Sequence, residues 1–185
     1  MNEQLTAILE FIKTHDKFTI ISHSAPDGDA LGSAAALFGT LCSIGKTAQV
    51  VCESHVPSVY SFLPFIDQLK PCSKAEDFPY LIAVDCADKS RLGLCTGLFD
   101  FAEKTVNIDH HKTNSLFADL NYVDTDVAAT GEIILRLLKL LGAKLDKKMA
   151  TCLYTAIMTD TGNFAYNNTR PATFIAAAEL LQADI

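Results

Sequence analysis

The sequence predicts an α/β protein built on a mainly parallel sheet of about five strands. Three apolar runs support this class, because their hydrophobicity is continuous rather than alternating, as in strands that are covered on both faces. These runs lie at residues 18–21, 80–85 and 104–109. Each run ends beside a carboxylate or an imidazole, and ligands of open α/β sheets bind beyond the carboxyl ends of the strands.

The other elements follow from apolar periodicity and from residues that start or end helices. Residues 3–15 carry apolar side chains at the i, i+3, i+4, i+7 spacing of an amphipathic helix. Gly45 and Gly142 stand where helices are expected to end, and Asp146 is a helix N-cap. Residues 53–79 are irregular and contain four prolines. Further predicted elements are strands at 46–52 and 121–123 and helices at 34–43, 128–141, 146–159 and from 171 to the end.

Composition narrows the class of protein. The chain has 185 residues, 49% of them hydrophobic, which suits one large domain with a filled core. A net charge of −7 argues against a broad surface for long duplex nucleic acid, and leaves nucleotides or short oligonucleotides as ligands. We find no signal peptide and no membrane span, and the six cysteines form no C-x-x-C pair. We therefore expect reduced thiols and a cytoplasmic location. His15 and His55 are expected at the surface.

Side chains that bind metals follow apolar segments at four places in the chain. Carboxylates and imidazoles without thiolates favour Mn²⁺ or Mg²⁺ over zinc. There are more of them than one ion needs, and two ions that share a bridging carboxylate are the usual arrangement for in-line attack at phosphorus. The candidates are His23, Asp27 and Asp29, then Asp85, then Asp109, His110 and His111, and finally Asp160.

Taken singly, these residues have ordinary explanations. Asp27 with Gly28 is a common turn pair, Asp29 is a plausible N-cap, and Asp160 stands at the end of a helix. Their joint occurrence with two histidines favours a metal site. Outside this set, we interpret Thr130 and Glu132 as helix-capping residues, and Arg91, Asn114 and Arg170 as either phosphate contacts or solvated loop residues.

Four segments resemble the motifs of the DHH-type (RecJ-like) phosphoesterases, and most closely those of the nanoRNase and phosphoadenosine-phosphate phosphatase branch. They are HSAPDGDALGS at 23–33, VDCAD at 84–88, IDHHKTN at 108–114 and TDTGNF at 159–164. The resemblance implies a three-layer α/β/α catalytic domain over residues 1–185. We expect that the family's smaller C-terminal substrate-binding domain has no counterpart in this chain, which bears on substrate choice and on the activity of the chain alone. A homodimer is an open alternative to a monomer.

The resemblance also implies site residues and an activity. His23, Asp27 and Asp85 would hold one Mn²⁺ or Mg²⁺ ion, and Asp29, Asp85, His110 and Asp160 the other. Asp85 would bridge the ions, His111 would face the scissile phosphate, and Arg91 is a candidate substrate contact. The expected reaction is hydrolysis of short oligoribonucleotides or of the 3′-phosphate of phosphoadenosine phosphate. Alternatives are a cyclic or linear dinucleotide phosphodiesterase and an inactive fragment that binds metal and nucleotide.

Overall fold

A computed structural model describes residues 2–53 and 56–185 and confirms the predicted α/β class. All strand pairs are parallel, and β1 lies between β2 and β4 in the order β3-β2-β1-β4-β5-β6. The strands are β1 (Phe18–Ile21), β2 (Ala48–Cys52), β3 (Leu69–Pro71), β4 (Tyr80–Val84), β5 (Lys104–Asp109) and β6 (Leu120–Val123).

The sheet has six strands, one more than the sequence predicts. The additional strand, β3, has three residues and lies at the edge of the sheet. It ends in Pro71, a residue that lacks the N–H group of a central strand and is tolerated at an edge. A strand this short has too few residues to show a hydrophobic pattern, so the sequence does not predict it. His55 lies outside the described residues.

In the described part of the chain, six α-helices cover the sheet unequally and form three layers. A large apolar cluster on one face joins the sheet to α1, α2, α4 and α5, and a smaller cluster on the other face joins it to α3 and to a 3₁₀ segment at Lys89–Cys95. Along β1, Phe18 and Ile20 belong to the large cluster and Ile21 to the small one. The helices are α1 (Glu3–Thr14), α2 (Gly28–Ser43), α3 (Thr96–Phe101), α4 (Thr130–Leu140), α5 (Lys147–Asp160) and α6 (Pro171–Leu181).

The strand order sets the position of a crevice. Chain connections run outward in opposite directions from β1 and β4, which are neighbours in the sheet. In open α/β sheets, the crevice beyond the carboxyl ends of two such strands is where ligands bind. None of the described helices is long and apolar enough to cross a membrane.

Close packing of α2 against α5 brings two distant parts of the chain to this crevice. Gly28 and Gly32 lie so close to α5 that a β-carbon at either position would overlap Thr159 or the backbone at Cys152. The sequence places Gly28 in a turn with Asp27, but neither Gly28 nor Gly32 has a positive φ angle. Their role is to let the two helices approach, which places the start of α2 next to the end of α5.

One expectation about the cysteines is wrong. The sulfur atoms of Cys72 and Cys95 are bonded, with the two Cα atoms 5.4 Å apart. Cys72 follows β3 and Cys95 precedes α3, and both contact the smaller apolar cluster. Sequence spacing could not reveal this pair, because the fold of the chain between them brings the two residues together. Cys42, Cys86 and Cys152 are free thiols.

Candidate metal centre

The loop after β1 and the start of α2 contribute three of the candidate ligands. His23 is buried two residues after the end of β1. Asp27 is the N-cap of α2 and accepts a hydrogen bond from the backbone N–H of Ala30 at 3.0 Å. The capping role that the sequence suggested for Asp29 therefore belongs to Asp27, and the carboxylate of Asp29 is available for other contacts.

Asp85 follows β4 directly and has an unusual backbone conformation. Its φ angle is 54°, in the left-handed region that most non-glycine residues avoid. Its backbone N–H donates to the carbonyl of Ile108 on β5 at 3.0 Å, which holds the peptide in place. The side chain is only 2% exposed. A strained backbone that is kept in this way is typical of functional sites.

The N-terminus of α4 holds both buried aspartates. The carboxylate of Asp29 accepts hydrogen bonds from the backbone N–H groups of Thr130 and Gly131 at 2.7 and 2.9 Å. It also accepts one from the hydroxyl of Ser33 at 3.0 Å, and the hydroxyl of Thr130 donates to Asp85 at 2.9 Å. Free N–H groups and the helix dipole make a helix N-terminus favourable for anions. Thr130, interpreted from sequence as a cap, instead positions two carboxylates.

His110 and Asp160 complete the cluster. The Nε2 atom of His110 lies 3.5 Å from Asp160, 3.7 Å from Asp85 and 3.8 Å from Asp29. Asn168 donates hydrogen bonds to the backbone carbonyls of Asp160 and Ala128, and thereby ties the end of α5 to the segment before α4. The carboxylate and imidazole atoms thus converge from four separate segments of the chain.

The structure brings all six predicted metal ligands into one cluster. It contains three groups whose nitrogen and oxygen atoms lie within 4.8 Å of one another, and Asp85 and His110 each belong to two groups. The groups are His23, Asp27 and Asp85; Asp29, His110 and Asp160; and Asp85, His110 and His111.

His111 is oriented by a chain of buried polar side chains. Its Nδ1 atom lies 2.7 Å from Asp109 Oδ1, and the amide of Asn114 donates to the other oxygen of Asp109 at 2.6 Å. Asn114 also donates to the side chain of Asn107 at 2.8 Å. Burial alone would raise the pKa of Asp109, but the hydrogen bonds from His111 and Asn114 hold this pKa below its usual value. With Nδ1 engaged by Asp109, the Nε2 atom of His111 is left for a ligand.

The remaining sequence candidates lie around the centre. Arg91 is exposed, and its backbone carbonyl accepts a hydrogen bond from the N–H of Ser24 at 2.7 Å. Burial lowers the pKa of His23, and the nearby charge of Arg91 lowers it further. Glu132 bonds to the N–H of Ala128 at 3.2 Å, in agreement with its predicted capping role. Arg170 pairs with the exposed Asp126.

The electrostatics of the cluster fit divalent cations. Burial raises the pKa of Asp29 well above its usual value, and the charges of Asp85 and Asp160 add to this effect. Burial also raises the pKa of Asp160, and it raises that of Asp85 to about 7, with the charge of Asp27 contributing. Burial lowers the pKa of His110. Several buried carboxylates that repel one another gain stability when a cation lies between them.

The spacing of the donor atoms also fits metal ions. The distances of 3.5 to 3.8 Å around His110 are longer than hydrogen bonds. Octahedral ligands about 2.1 Å from a Mg²⁺-sized ion stand about 3 to 4.2 Å apart, so the donor atoms have the separations that such an ion requires. Oxygen and imidazole donors are those that Mn²⁺ and Mg²⁺ accept.

The fold and its acidic, histidine-containing crevice define an α/β protein with a candidate metal centre. Comparison with known proteins gives the family. The sequence model described as "DHH family, N-terminal domain" matches residues 17–157. The chain belongs to the DHH family.

Individual relatives agree with this family. The chain is 37% identical over 182 residues to the "Bifunctional oligoribonuclease and PAP phosphatase NrnA" of Thermus thermophilus, a match that covers 97% of the chain and 54% of that protein. It is 29% identical over 192 residues to the "Cyclic-di-AMP phosphodiesterase GdpP" of Geobacillus thermodenitrificans, covering 94% of the chain and 29% of that protein. The chain thus spans about half of the NrnA relative and less of GdpP.

A solved structure shares the fold over nearly the whole chain. It is the crystal structure of an exopolyphosphatase-related protein from Bacteroides fragilis, with a TM-score of 0.92 and 25% sequence identity. The match covers 98% of this chain and 57% of that one. The three-layer arrangement that the motif resemblance implied is therefore shared with that exopolyphosphatase-related protein.

Proposed function

We propose that this chain is a two-metal phosphoesterase that hydrolyses short oligoribonucleotides and the 3′-phosphate of phosphoadenosine phosphate. The observation that carries the proposal is the convergence of three donor groups that share Asp85 and His110. The NrnA relative is named for the same two activities, as a bifunctional oligoribonuclease and PAP phosphatase. The net charge of −7 favours short substrates over long duplexes.

The proposal assigns metal-binding roles to six side chains. The cofactor would be two Mn²⁺ ions, with Mg²⁺ as the alternative, and Asp85 would be shared between them. When bound, such ions supply charge neutralisation at the phosphate and activation of water. One ion would be held by His23, Asp27 and Asp85, and the other by Asp29, Asp85, His110 and Asp160.

Side chains outside the metal-binding set would bind and orient the substrate and donate a proton. The hydrogen bond to Asp109 raises the pKa of His111 and so favours the imidazolium form. In that form the Nε2 atom would donate a hydrogen bond to a phosphoryl oxygen or a proton to the leaving group. Asp109 and Asn114 would keep His111 in the required orientation, because both oxygens of Asp109 are engaged. Arg91, exposed beside the loop that carries His23, would bind a substrate phosphate through its guanidinium group.

A cyclic or linear dinucleotide is the second candidate substrate. The similarity to the cyclic-di-AMP phosphodiesterase of Geobacillus thermodenitrificans favours it, since the similarity covers 94% of this chain. The same centre would serve, because the bond hydrolysed is again a phosphodiester. The third candidate is a chain that binds metal and nucleotide without turnover, which is suggested by the match to only 54% of the NrnA relative.

Product analysis separates these candidates. The protein would be incubated with Mn²⁺ and, in parallel, an RNA dinucleotide, phosphoadenosine phosphate and a cyclic dinucleotide. We expect nucleoside monophosphates from the first and free phosphate from the second, and neither with Asp85→Asn. Asp67→Asn, which changes an exposed aspartate, is the matched control. Metal binding without any product would favour the third candidate, and linear dinucleotide as the sole product would favour the second.

The proposal extends to the protein's location, its partners and its oligomeric state. A cytoplasmic location fits the proposed substrates, which are intracellular nucleotides by their chemistry. The partners are expected to be these small substrates, without a long duplex or a membrane. A homodimer is compatible with the proposal, and gel filtration with light scattering measures it directly.

A further inference from the structure

A cavity of about 430 Å³ lies beside the metal centre and takes no part in the proposed metal binding. One wall is the segment after β3, and the other is the turn before α3 together with α3 itself. The bonded pair Cys72 and Cys95 joins the two walls. The cavity is lined by Glu53, Pro71, Cys72, Ser73, Leu94, Gly97, Leu98 and Phe101.

Gly93 connects the cavity to the centre. Its φ angle is 56°, and a β-carbon there would overlap the carboxylate of Glu53 and would lie 3.0 Å from the β-carbon of Ser24. The carboxylate of Glu53 and the β-carbon of Ser24 therefore both lie against the same position at Gly93. Ser24 follows the candidate ligand His23, and its N–H donates to Arg91. The end of the cavity at Glu53 therefore lies next to the loop that carries His23.

The lining of the cavity is largely apolar and unusually exposed. Phe101 is 90% exposed and Leu94 is 83% exposed, although both are large hydrophobic side chains. Exposed apolar side chains that cluster at a concave surface indicate a binding site. An exposed aromatic ring is also the group on which a nucleobase stacks.

Glu53 supplies the one carboxylate of the cavity. The lining residues, all in the described part of the chain, include no lysine or arginine, so the ligand group in the cavity is not a phosphate. Glu53 follows β2, and the strand order β3-β2-β1-β4-β5-β6 is that of dinucleotide-binding α/β folds. In those folds, an acidic residue about twenty positions beyond the first loop accepts hydrogen bonds from ribose hydroxyls.

We infer that this cavity binds the nucleoside that adjoins the scissile phosphate. The base packs against Phe101, Leu94 and Leu98, and the carboxylate of Glu53 accepts hydrogen bonds from the ribose hydroxyls. The inference rests on the proposed function, because it takes the phosphate of the same ligand to lie at the metal centre. It makes Glu53 a residue that distinguishes ribonucleotides from deoxyribonucleotides, since a deoxyribose lacks the 2′-hydroxyl.

Substitutions at Glu53 and Phe101 test the inference by activity. Glu53→Leu removes both acceptor oxygens, and Glu53→Gln keeps one. We expect the ratio of kcat/KM for an RNA dinucleotide to that for the DNA dinucleotide to fall about tenfold in Glu53→Leu and less in Glu53→Gln. Phe101→Ala should lower kcat/KM about tenfold for both. Hydrolysis of bis(p-nitrophenyl) phosphate, which has no ribose, should be unchanged in Glu53→Leu.

Matched controls and a binding measurement separate this inference from the proposed function. Glu103→Leu and Phe62→Ala change exposed residues of the same types, at the amino end of β5 and beside α5. Binding of 2-aminopurine riboside, followed by its fluorescence in a chelator, needs no metal. It should weaken in Glu53→Leu and Phe101→Ala and not in the controls.

The outcomes are distinct. If no substrate is hydrolysed but the riboside binds and both cavity variants weaken it, the cavity is supported and the proposed function fails. If the wild type is active and Glu53→Leu keeps its RNA preference and its riboside affinity, the inference is overturned.

Discussion

Replacing Asp85 with asparagine should stabilise the metal-free protein. Asp85 is 2% exposed, and burial, with the charge of Asp27 adding to it, raises its pKa from the ordinary 3.8 to about 7. The ionised carboxylate is therefore disfavoured in the folded state, and stability falls as the pH rises from the unfolded value towards the folded one. This difference in pKa corresponds to about 4 kcal/mol of unfolding free energy at about pH 8, and to about 2 kcal/mol at about pH 5.

Asparagine cannot ionise, and its amide oxygen can still accept the hydrogen bond from Thr130. With a chelator present, urea unfolding followed by circular dichroism should show Asp85→Asn to be more stable than the wild type by up to about 4 kcal/mol at about pH 8, and by less than half of that at about pH 5. Asp67→Asn should change little. With Mn²⁺ the order should reverse, because only the wild type gains binding energy. Equal or lower stability of Asp85→Asn in chelator at about pH 8 would refute this reasoning.

Three further predictions follow from hydrogen bonds, two at the centre and one at the amino end of β5. Thr130→Val removes a hydroxyl that orients the candidate ligand Asp85, and should weaken Mn²⁺ binding about 10- to 100-fold by calorimetry. Thr130→Ser keeps the hydroxyl and should bind Mn²⁺ as the wild type does. Equal Mn²⁺ affinities of Thr130→Val and the wild type would contradict the positioning role. Asn114→Ala leaves an oxygen of Asp109 without its donor, so the free energy of unfolding should fall by about 1–3 kcal/mol. The kcat should also fall, because His111 loses its orientation. An unchanged kcat would argue against an orienting role for the hydrogen bonds from Asn114 through Asp109 to His111. A backbone N–H of β5 lowers the pKa of Asp119, so its stabilisation is present above about pH 4 and is lost as the pH falls through the folded value. Melting temperatures of the wild type should therefore drop more steeply in acid than those of Asp119→Asn, and parallel curves would exclude this effect.

The convergence of the candidate ligands could be predicted because it follows from topology. Asp85 and Asp109 end buried parallel strands, and the carboxyl ends of such strands meet at one edge of the sheet. His23 follows β1 in the same way. Continuous apolar runs mark these strands clearly, so both the fold class and the position of the site can be read from local sequence.

The supporting contacts could not be predicted, because they join segments that are far apart in the chain. Asp29 accepts its hydrogen bond from Thr130 across 101 positions, and a threonine at the start of a helix is equally well explained as a local cap. Asn114 is separated from Asp109 by only five positions, but the loop geometry that joins them is not encoded in a periodic pattern. The cavity at Glu53 likewise depends on the short strand β3, which has no hydrophobic signature.

Titration of the purified chain with Mn²⁺, by calorimetry and electron paramagnetic resonance, tests the central claim most directly. Two ions bridged by the carboxylate of Asp85 should give a stoichiometry of two per chain and a spin-coupled spectrum, and Asp85→Asn should lose the coupling. Binding of no ion, or of one ion with an uncoupled spectrum in the wild type, would contradict the proposed two-metal centre.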